Sequence, residues 1–468
     1  MPISSTHRRM LWIVAIGFFM ETLDSTIVNT ALPAMAKSLH ADPLSMHAVV
    51  IAYSLTLAVL IPVSGWVADR FSIRRTFMAA ILIFSIGSAL CSVAPTLPIL
   101  IIARVFQGIG GSMLMPVGRL AILRVFPQSQ FLAAMSFVAV PALVGPLVGP
   151  TLGGFLVEFA TWHWIFLINI PVGLVGLYAT RRYMQAIPVL PVKPFDYKGF
   201  FMLSLMMISF SVALEGVSDD GYQHATVMML VVLGFAGLVT YILHASREPR
   251  ALFHLEIFRT RSFSVGILGN LFARIGSASM PFLVPLLLQV NLDYSPLQAG
   301  STMIPIALAA IICRSFAPPF IMRIGYRRFL VMNTMILGLT IISLAFLGAH
   351  QPAWIRVLQL IVFGTVNSLQ FSAMNSLTLK DLEAKDTSSG NSLLSMTQML
   401  ALSLGAANAG ALLTTFNHYF HGVPHSSTPA FQATFVCLGA ITCLSTWVFA
   451  QLERNSHNPP PPTQVTMS

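Results

Sequence analysis

Long apolar runs decide what this chain can fold into. Fourteen follow one another, near residues 11–35, 46–67, 76–94, 98–120, 130–158, 163–182, 198–215, 223–244, 262–290, 297–322, 326–349, 353–378, 388–415 and 430–450. A helix needs about 20 predominantly apolar residues to cross a bilayer core. Because the runs are continuous rather than alternating polar and apolar, they exclude a β-barrel pore. Only 9% of the residues are charged, against about 25% in soluble domains. The mean hydropathy of +0.78 agrees, and the chain reads as an all-α polytopic membrane protein with 14 transmembrane helices. Removing the pair between 198 and 244 would give twelve spans with the same parity. Both runs are long enough to cross, so both are kept.

The net charge of +10 does not point to nucleic acid, because the basic residues lie in short clusters between apolar runs, with no basic stripe. With the N-terminus placed in the cytoplasm, every Lys and Arg falls on the inside except five. Lys37 and Arg356 lie outside, and Arg104, Arg274 and Arg314 lie within helices. That is the positive-inside pattern, and it predicts a multi-pass protein of the cell inner (cytoplasmic) membrane with both termini cytoplasmic. The expected organisation is a cytoplasmic N-terminus over 1–10, a six-helix bundle over 11–182 and a linker with two extra helices over 183–250. A second six-helix bundle over 251–450 and a disordered cytoplasmic tail over 451–468 follow. His7-Arg8-Arg9 and Ala34-Met35-Ala36 have the parts of a signal peptide. Glu21, Asp24 and Asn29 interrupt its apolar region, so the first run is read as an uncleaved helix. Cys91, Cys313, Cys437 and Cys443 sit inside apolar segments without metal-ligand spacing. His418, His421 and His425 read as solvated loop residues, and no metal or cofactor is expected.

Arg70-Phe-Ser-Ile-Arg-Arg75 is matched by Arg323-Ile-Gly-Tyr-Arg-Arg328, an offset of 253 that also sets Glu21 opposite Arg274. Two related six-helix halves joined by a two-helix insert account for this, an arrangement common in transporters, with the substrate site between the halves.

Four stretches of the first half carry the chemistry. They are Leu23-Asp24-Ser-Thr-Ile-Val-Asn29-Thr-Ala-Leu-Pro33, Gly65-Trp-Val-Ala-Asp69-Arg70-Phe-Ser72-Ile-Arg74-Arg75, Leu100-Ile-Ile-Ala-Arg104-Val-Phe-Gln107-Gly108 and Gly145-Pro-Leu-Val-Gly149-Pro150-Thr-Leu-Gly153-Gly154. Gly145, Gly149 and Gly153 recur on one helix face, where small residues let helices approach closely in lipid. Pro150 favours a bend. Together with Trp162-His-Trp164-Ile-Phe-Leu-Ile-Asn169-Ile-Pro171-Val-Gly173, these stretches resemble the major facilitator superfamily, in particular its fourteen-span drug:proton antiporter branch. The resemblance runs from about residue 10 to 450. It implies a major facilitator fold and a proton-coupled multidrug efflux antiporter working by alternating access. It implies that Gly65, Asp69, Arg70 and Arg74 latch the cytoplasmic side, and that Gly145, Gly149, Pro150, Gly153 and Gly154 serve exchange and limit leak. One departure is Ser72, where the loop motif has Gly; the second copy has Gly325 there but Met322 in place of Asp69.

Glu21 and Asp24 are the unexpected residues of the first span. A charge at the bilayer centre costs about 2.5–3.5 kcal/mol on insertion scales, so each must face a cavity, find a partner or take up a proton. Three residues apart, they share a helix face. At 1.5 Å per residue, Asp24 lies roughly 20 Å from the inner surface, or about 10 Å below the outer one. Arg104 lies roughly 9 Å below that outer surface, which makes it the expected partner. Asp24, Glu21 and Arg104 are therefore the candidate proton-coupling residues, and Asn29, Gln107 and Arg274 the candidate cavity residues. Glu21 either lies off the cavity or pairs with Arg274.

The expected partners are a small-molecule substrate, protons and the bilayer, with the chain monomeric. Acids in the first half favour cationic drugs, while Arg274 and Arg314 favour a small organic anion or its metal chelate; both readings stand. No HExxH, Gly-x-Ser-x-Gly or Walker sequence supports an enzyme or an ATP-driven pump. A channel or a non-transporting sensor is the rival class.

Overall fold

The computed structural model describes residues 5–41, 46–185, 194–218, 224–294, 296–313, 316–348, 351–383, 386–420 and 427–452. Among them are helices and turns, and no strand. The first half consists of α1 (Ser5–Ser38), α2 (His47–Leu60), α3 (Ser64–Phe71), α4 (Ile73–Ser92), α5 (Leu97–Val125), α6 (Gln128–Phe159), α7 (Trp164–Leu167) and α8 (Asn169–Tyr183). The insert is α9 (Tyr197–Ser218) and α10 (His224–Ala245). The second half is α11 (Arg261–Asn291), α12 (Pro296–Thr302), α13 (Ile304–Cys313), α14 (Ala317–Ser343), α15 (Ala353–Leu379), α16 (Thr387–Tyr419) and α17 (Ser427–Ala450).

Among the described residues, eleven helical stretches are long and apolar enough to cross a membrane, and three shorter apolar ones, Gln130–Ala142, Tyr197–Ala213 and Gln298–Cys313, coincide with the remaining expected runs. Their outer faces are apolar: Ile102, Met228, Leu444 and Trp447 are each more than two-thirds exposed. Such a surface is stable against lipid and not against water. Arg314, His421, His425, Lys193, Asp42, Asp219, Asp220 and the tail from residue 453 lie outside the described residues.

Within the first half, α1 packs on α6, α4 on α5 and α8, and α2 on α5. Within the second, α11 packs on α15, α16 and α17, and α14 on α15 and α17. The halves meet along α6 against α12, α13 and α15, and along α16 against α3 and α5. The insert helix α9 touches both halves, resting on α2 and on α16. One carboxylate joins the start of α9 to the end of α10. Asp196 accepts from the Gly199 amide at 2.9 Å, from the Leu252 amide at 3.3 Å, and lies 3.0 Å from His244 Nε2.

The 253-residue repeat is written into the backbone. Between α3 and α4 the chain turns at Ser72, with φ 74° and ψ 144°. In α14 it turns at Gly325, with φ 81° and ψ 154°. This region is costly for any residue with a Cβ, by about 1–3 kcal/mol, yet the first copy carries serine. Ser72→Gly is expected to stabilise the protein by about 1 kcal/mol, the relieved strain exceeding the added chain entropy. Thermal unfolding in detergent checks this, and a midpoint that does not rise would contradict it.

Candidate functional site

The first cluster forms where α1, α4, α5 and α8 converge. Asp24 has no exposed surface and Arg104 has 1%. Arg104 Nη1 donates to Asp24 Oδ2 at 2.6 Å. The other carboxylate oxygen, Oδ1, accepts from Gln107 Nε2 at 2.9 Å and from Asn169 Nδ2 at 3.1 Å. Ser88 Oγ accepts from the same two amides, at 2.7 and 3.1 Å. Close approach of α4 and α5 permits this: a Cβ on Gly87 would sit 2.5 Å from Gln107 Cα. Arg104 is held a second time by Gln107 Oε1 at 2.7 Å, Val49 O at 3.3 Å and the Tyr53 ring, whose centroid is 4.2 Å away. The guanidinium thus keeps acceptors even without the acid. Gln107, expected to line a cavity, is wholly buried inside this cluster.

Glu21 lies outside that cluster. Pro116 interrupts the helical ladder of α5, and the Met115 amide donates to Glu21 Oε2 at 3.0 Å. The cation facing Glu21 is Arg119, not Arg274. Arg274 stacks on Phe371 with its guanidinium 4.4 Å from the ring centroid, and its buried Nε has no partner. Arg119, which the span boundaries put at the cytoplasmic end of a run, is instead fully buried within α5. It donates across the interface between the halves, from Nη1 to Ser395 Oγ at 3.3 Å and from Nη2 to Gln398 Oε1 at 2.7 Å. Asn29 is exposed, one and a half turns beyond Asp24 on α1.

A third group joins the halves at the Ser72 end. Asp69 pairs with Arg124 of α5, and Ser388 of α16 bridges them, accepting from Arg124 Nη2 at 2.7 Å and donating to Asp69 Oδ1 at 3.0 Å. The Gly65 amide donates to Ser392 Oγ at 3.0 Å, and a Cβ on Gly65 would lie 2.8 Å from Ser388 O. Asn391 Nδ2 donates to Pro116 O at 2.6 Å. Arg74 binds within the first half, donating to Arg181 O at 2.8 Å, and Arg70 is exposed.

The glycine stripe faces α1. A Cβ on Gly145, Gly149 or Gly153 would lie 2.2, 2.3 or 2.2 Å from the Oγ1 of Thr22, Thr26 or Thr30 respectively. A Cβ on Gly154 would meet nothing within 4 Å. The side chain of Pro150 lies outside the described set. Sequence reading overlooked Ser88, Arg119 and the α16 residues Ser388, Ser392, Ser395 and Gln398. The available signal was a row of small polar residues at the start of an apolar run. Asn169 was noticed only as part of a motif.

The Major Facilitator Superfamily profile matches residues 14–406. The chain belongs to the major facilitator superfamily. This superfamily member is 46% identical over 452 residues to the "Putative multidrug resistance protein MdtD" of Salmonella heidelberg strain SL476, with 96% of each chain covered. It is 46% identical over 453 residues, again 96% of each, to the protein of the same description from Escherichia coli strain K12 / DH10B. Among solved structures it resembles the human organic anion transporter MFSD10 (TETRAN), with a TM-score of 0.67, 13% identity, and coverage of 96% of this chain and 100% of that one. It also resembles the proton:xylose symporter XylE, with a TM-score of 0.64, 13% identity and 95% of each chain covered. At those identities the structures show the fold alone. The chain is a multi-pass membrane transporter of this superfamily, and not an enzyme.

The glycine stripe gives a graded test. Gly149→Ala is expected to destabilise the protein by about 1–3 kcal/mol through overpacking, with partial rescue by Thr26→Ala, whereas Gly154→Ala is expected to be neutral. Unfolding midpoints in detergent distinguish these variants, and equal effects at 149 and 154 would contradict the packing argument.

Proposed function

We propose that this transporter is a fourteen-span proton-coupled antiporter that exports small molecules by alternating access. In this reading residues 11–182 and 251–450 are the moving bundles. The protein works as a monomer in the inner membrane, with the Ser72 end in the cytoplasm. The observation that carries the proposal is the Asp24–Arg104 pair, 2.6 Å long and wholly out of contact with solvent. Burying two charges is tolerable only with close pairing and full hydrogen bonding, and removing one partner of such a pair costs about 3–5 kcal/mol. Here the cation retains Gln107, Val49 and Tyr53 if Asp24 takes up a proton, so the acid can be neutralised without stranding the arginine. Proton entry from outside and release to the cytoplasm would then alternate with substrate exit. The polar seam of Asp69, Arg124, Gly65 and Ser388 to Ser395 fits a state shut towards the cytoplasm, with Asn29 on the open side.

The relatives' description, multidrug resistance, supports drugs as substrates. A second reading, a small organic anion or its metal chelate, is favoured by one observation: Arg119 and Arg274 both bring a buried, unpartnered Nε to the interface region. Everted vesicles with an imposed proton gradient test the coupling. Asp24→Asn, expressed at the normal level, is expected to lower gradient-driven transport by about tenfold or more, equivalent to about 1.4 kcal/mol. Unchanged coupling would overturn the proposal. Competition by cationic dyes against competition by di- and tricarboxylates decides between the two substrate classes.

A further inference from the structure

Arg119 is the one wholly buried cation whose described hydrogen bonds run from the first half to the second. Its acceptors there, a serine hydroxyl and a glutamine carbonyl, are neutral. Gln398 passes the connection on, donating to Asn375 Oδ1 at 2.6 Å on α15 and to Asn270 Oδ1 at 3.4 Å on α11. Arg119 Nε has no partner. One turn earlier on α5, the Met115 amide holds the Glu21 carboxylate, and residues four apart on a helix are neighbours. The charged and titratable groups facing Glu21 are Asp24 on its own helix, Tyr53 on α2 and Arg119 on α5. Arg119 in turn faces Glu21 and, on α11, the like charge of Arg274. Asp24 is committed to Arg104, Gln107 and Asn169. Arg119 is therefore the cation on which the charge of Glu21 acts.

We propose that Arg119 is a positioning residue that transmits the protonation state of Glu21 to the second half of the transporter. When Glu21 is neutral, Arg119 reaches over to Ser395 and Gln398 and holds α5 against α16. When Glu21 is ionised, a full ion pair competes with two hydrogen bonds to neutral acceptors, and in a low-dielectric interior its Coulombic attraction exceeds theirs. Arg119 then withdraws towards α1, aided by repulsion from Arg274, and α16 is released at the Ser72 end. The role in transport rests on the proton-coupled reading given above, but the movement is measurable without transport.

Spin labels introduced as unnatural residues at the exposed positions Arg75 and Asp381 report the separation of the halves at that end by pulsed dipolar spectroscopy. The unmodified protein is expected to pass from a short to a long distance as pH rises. Glu21→Gln is expected to stay short at every pH, and Arg119→Gln to lose the titration. Gln398→Leu weakens the closed form, so less ionisation opens it, and its midpoint is expected to move to lower pH by about one unit. Arg119→Lys keeps the charge and is expected to keep a titration. A distance that ignores pH in the unmodified protein overturns the proposal, as does an unaltered titration in Glu21→Gln. If Arg119→Gln does not fold, an unshifted midpoint in Gln398→Leu overturns it alone. Transport independent of the proton gradient, with the distance titration intact, would remove the antiport reading and leave the Arg119 linkage standing.

Discussion

A carboxylate in a low-dielectric interior has to be surrounded by donors, and that requirement organises the first half of this protein. Asp24 collects three donors, from Arg104, Gln107 and Asn169, on two other helices. Ser88 completes the group by accepting from both amides. Each contact fixes the rotation of a helix that lipid alone would leave free, since the bilayer offers no hydrophobic preference among apolar faces. Two helices, α5 and α8, would lose their keyed orientation if the acid were absent. Glu21 presents a contrast three residues earlier: its one described donor is a backbone amide, and the remainder of its environment belongs to the seam between halves.

The seam is chemically lopsided. On the first-half side it offers an acid, two arginines, a backbone amide and a backbone carbonyl: Asp69, Arg124, Arg119, Gly65 N and Pro116 O. On the second-half side it offers short polar side chains spaced along one face of α16, namely Ser388, Asn391, Ser392, Ser395 and Gln398. Neutral acceptors opposite ionised donors give contacts of intermediate strength, firm enough to hold the halves together and weak enough to be exchanged. The second copy of the loop has exposed Met322 where the first has Asp69. The described ion pair at this end of the seam, Asp69 with Arg124, thus belongs to one repeat of the two.

Hydropathy and motif spacing made the helical membrane architecture and the superfamily legible. The depth argument also brought Asp24 and Arg104 to one level, and they lie in contact. What stayed hidden depended on rotation and on helix ends. Arg119 lies at the edge of its apolar run, and a boundary shifted by a few residues turns a loop cation into a buried one. Glu21 and Arg274 occupy equivalent places in the repeat, but pseudo-symmetry relates positions and does not bring them into contact; Arg274 found an aromatic ring instead. Serines and threonines carry no hydropathy signal strong enough to mark an interface, so the residues of α16 passed unnoticed. Among the described residues, the fourteen runs in sequence appear as eleven long stretches and three short ones. Turns such as the one between α12 and α13 are invisible to a sliding average.

The threonine hydroxyls opposite the glycine stripe also bond backwards to their own helix: Thr22 to Phe18 O at 2.9 Å, Thr26 to Leu23 O at 3.1 Å and Thr30 to Ile27 O at 2.8 Å. Apart from a long 3.4 Å contact of Thr22 Oγ1 with Pro141 O of α6, their polarity is spent locally, and they offer α6 a fitted set of teeth. Sliding α1 along α6 would require a jump of a whole four-residue pitch, about 6 Å. Piston motion of the acid-bearing helix is therefore mechanically blocked, and only tilting of the two helices as one rod remains open to it.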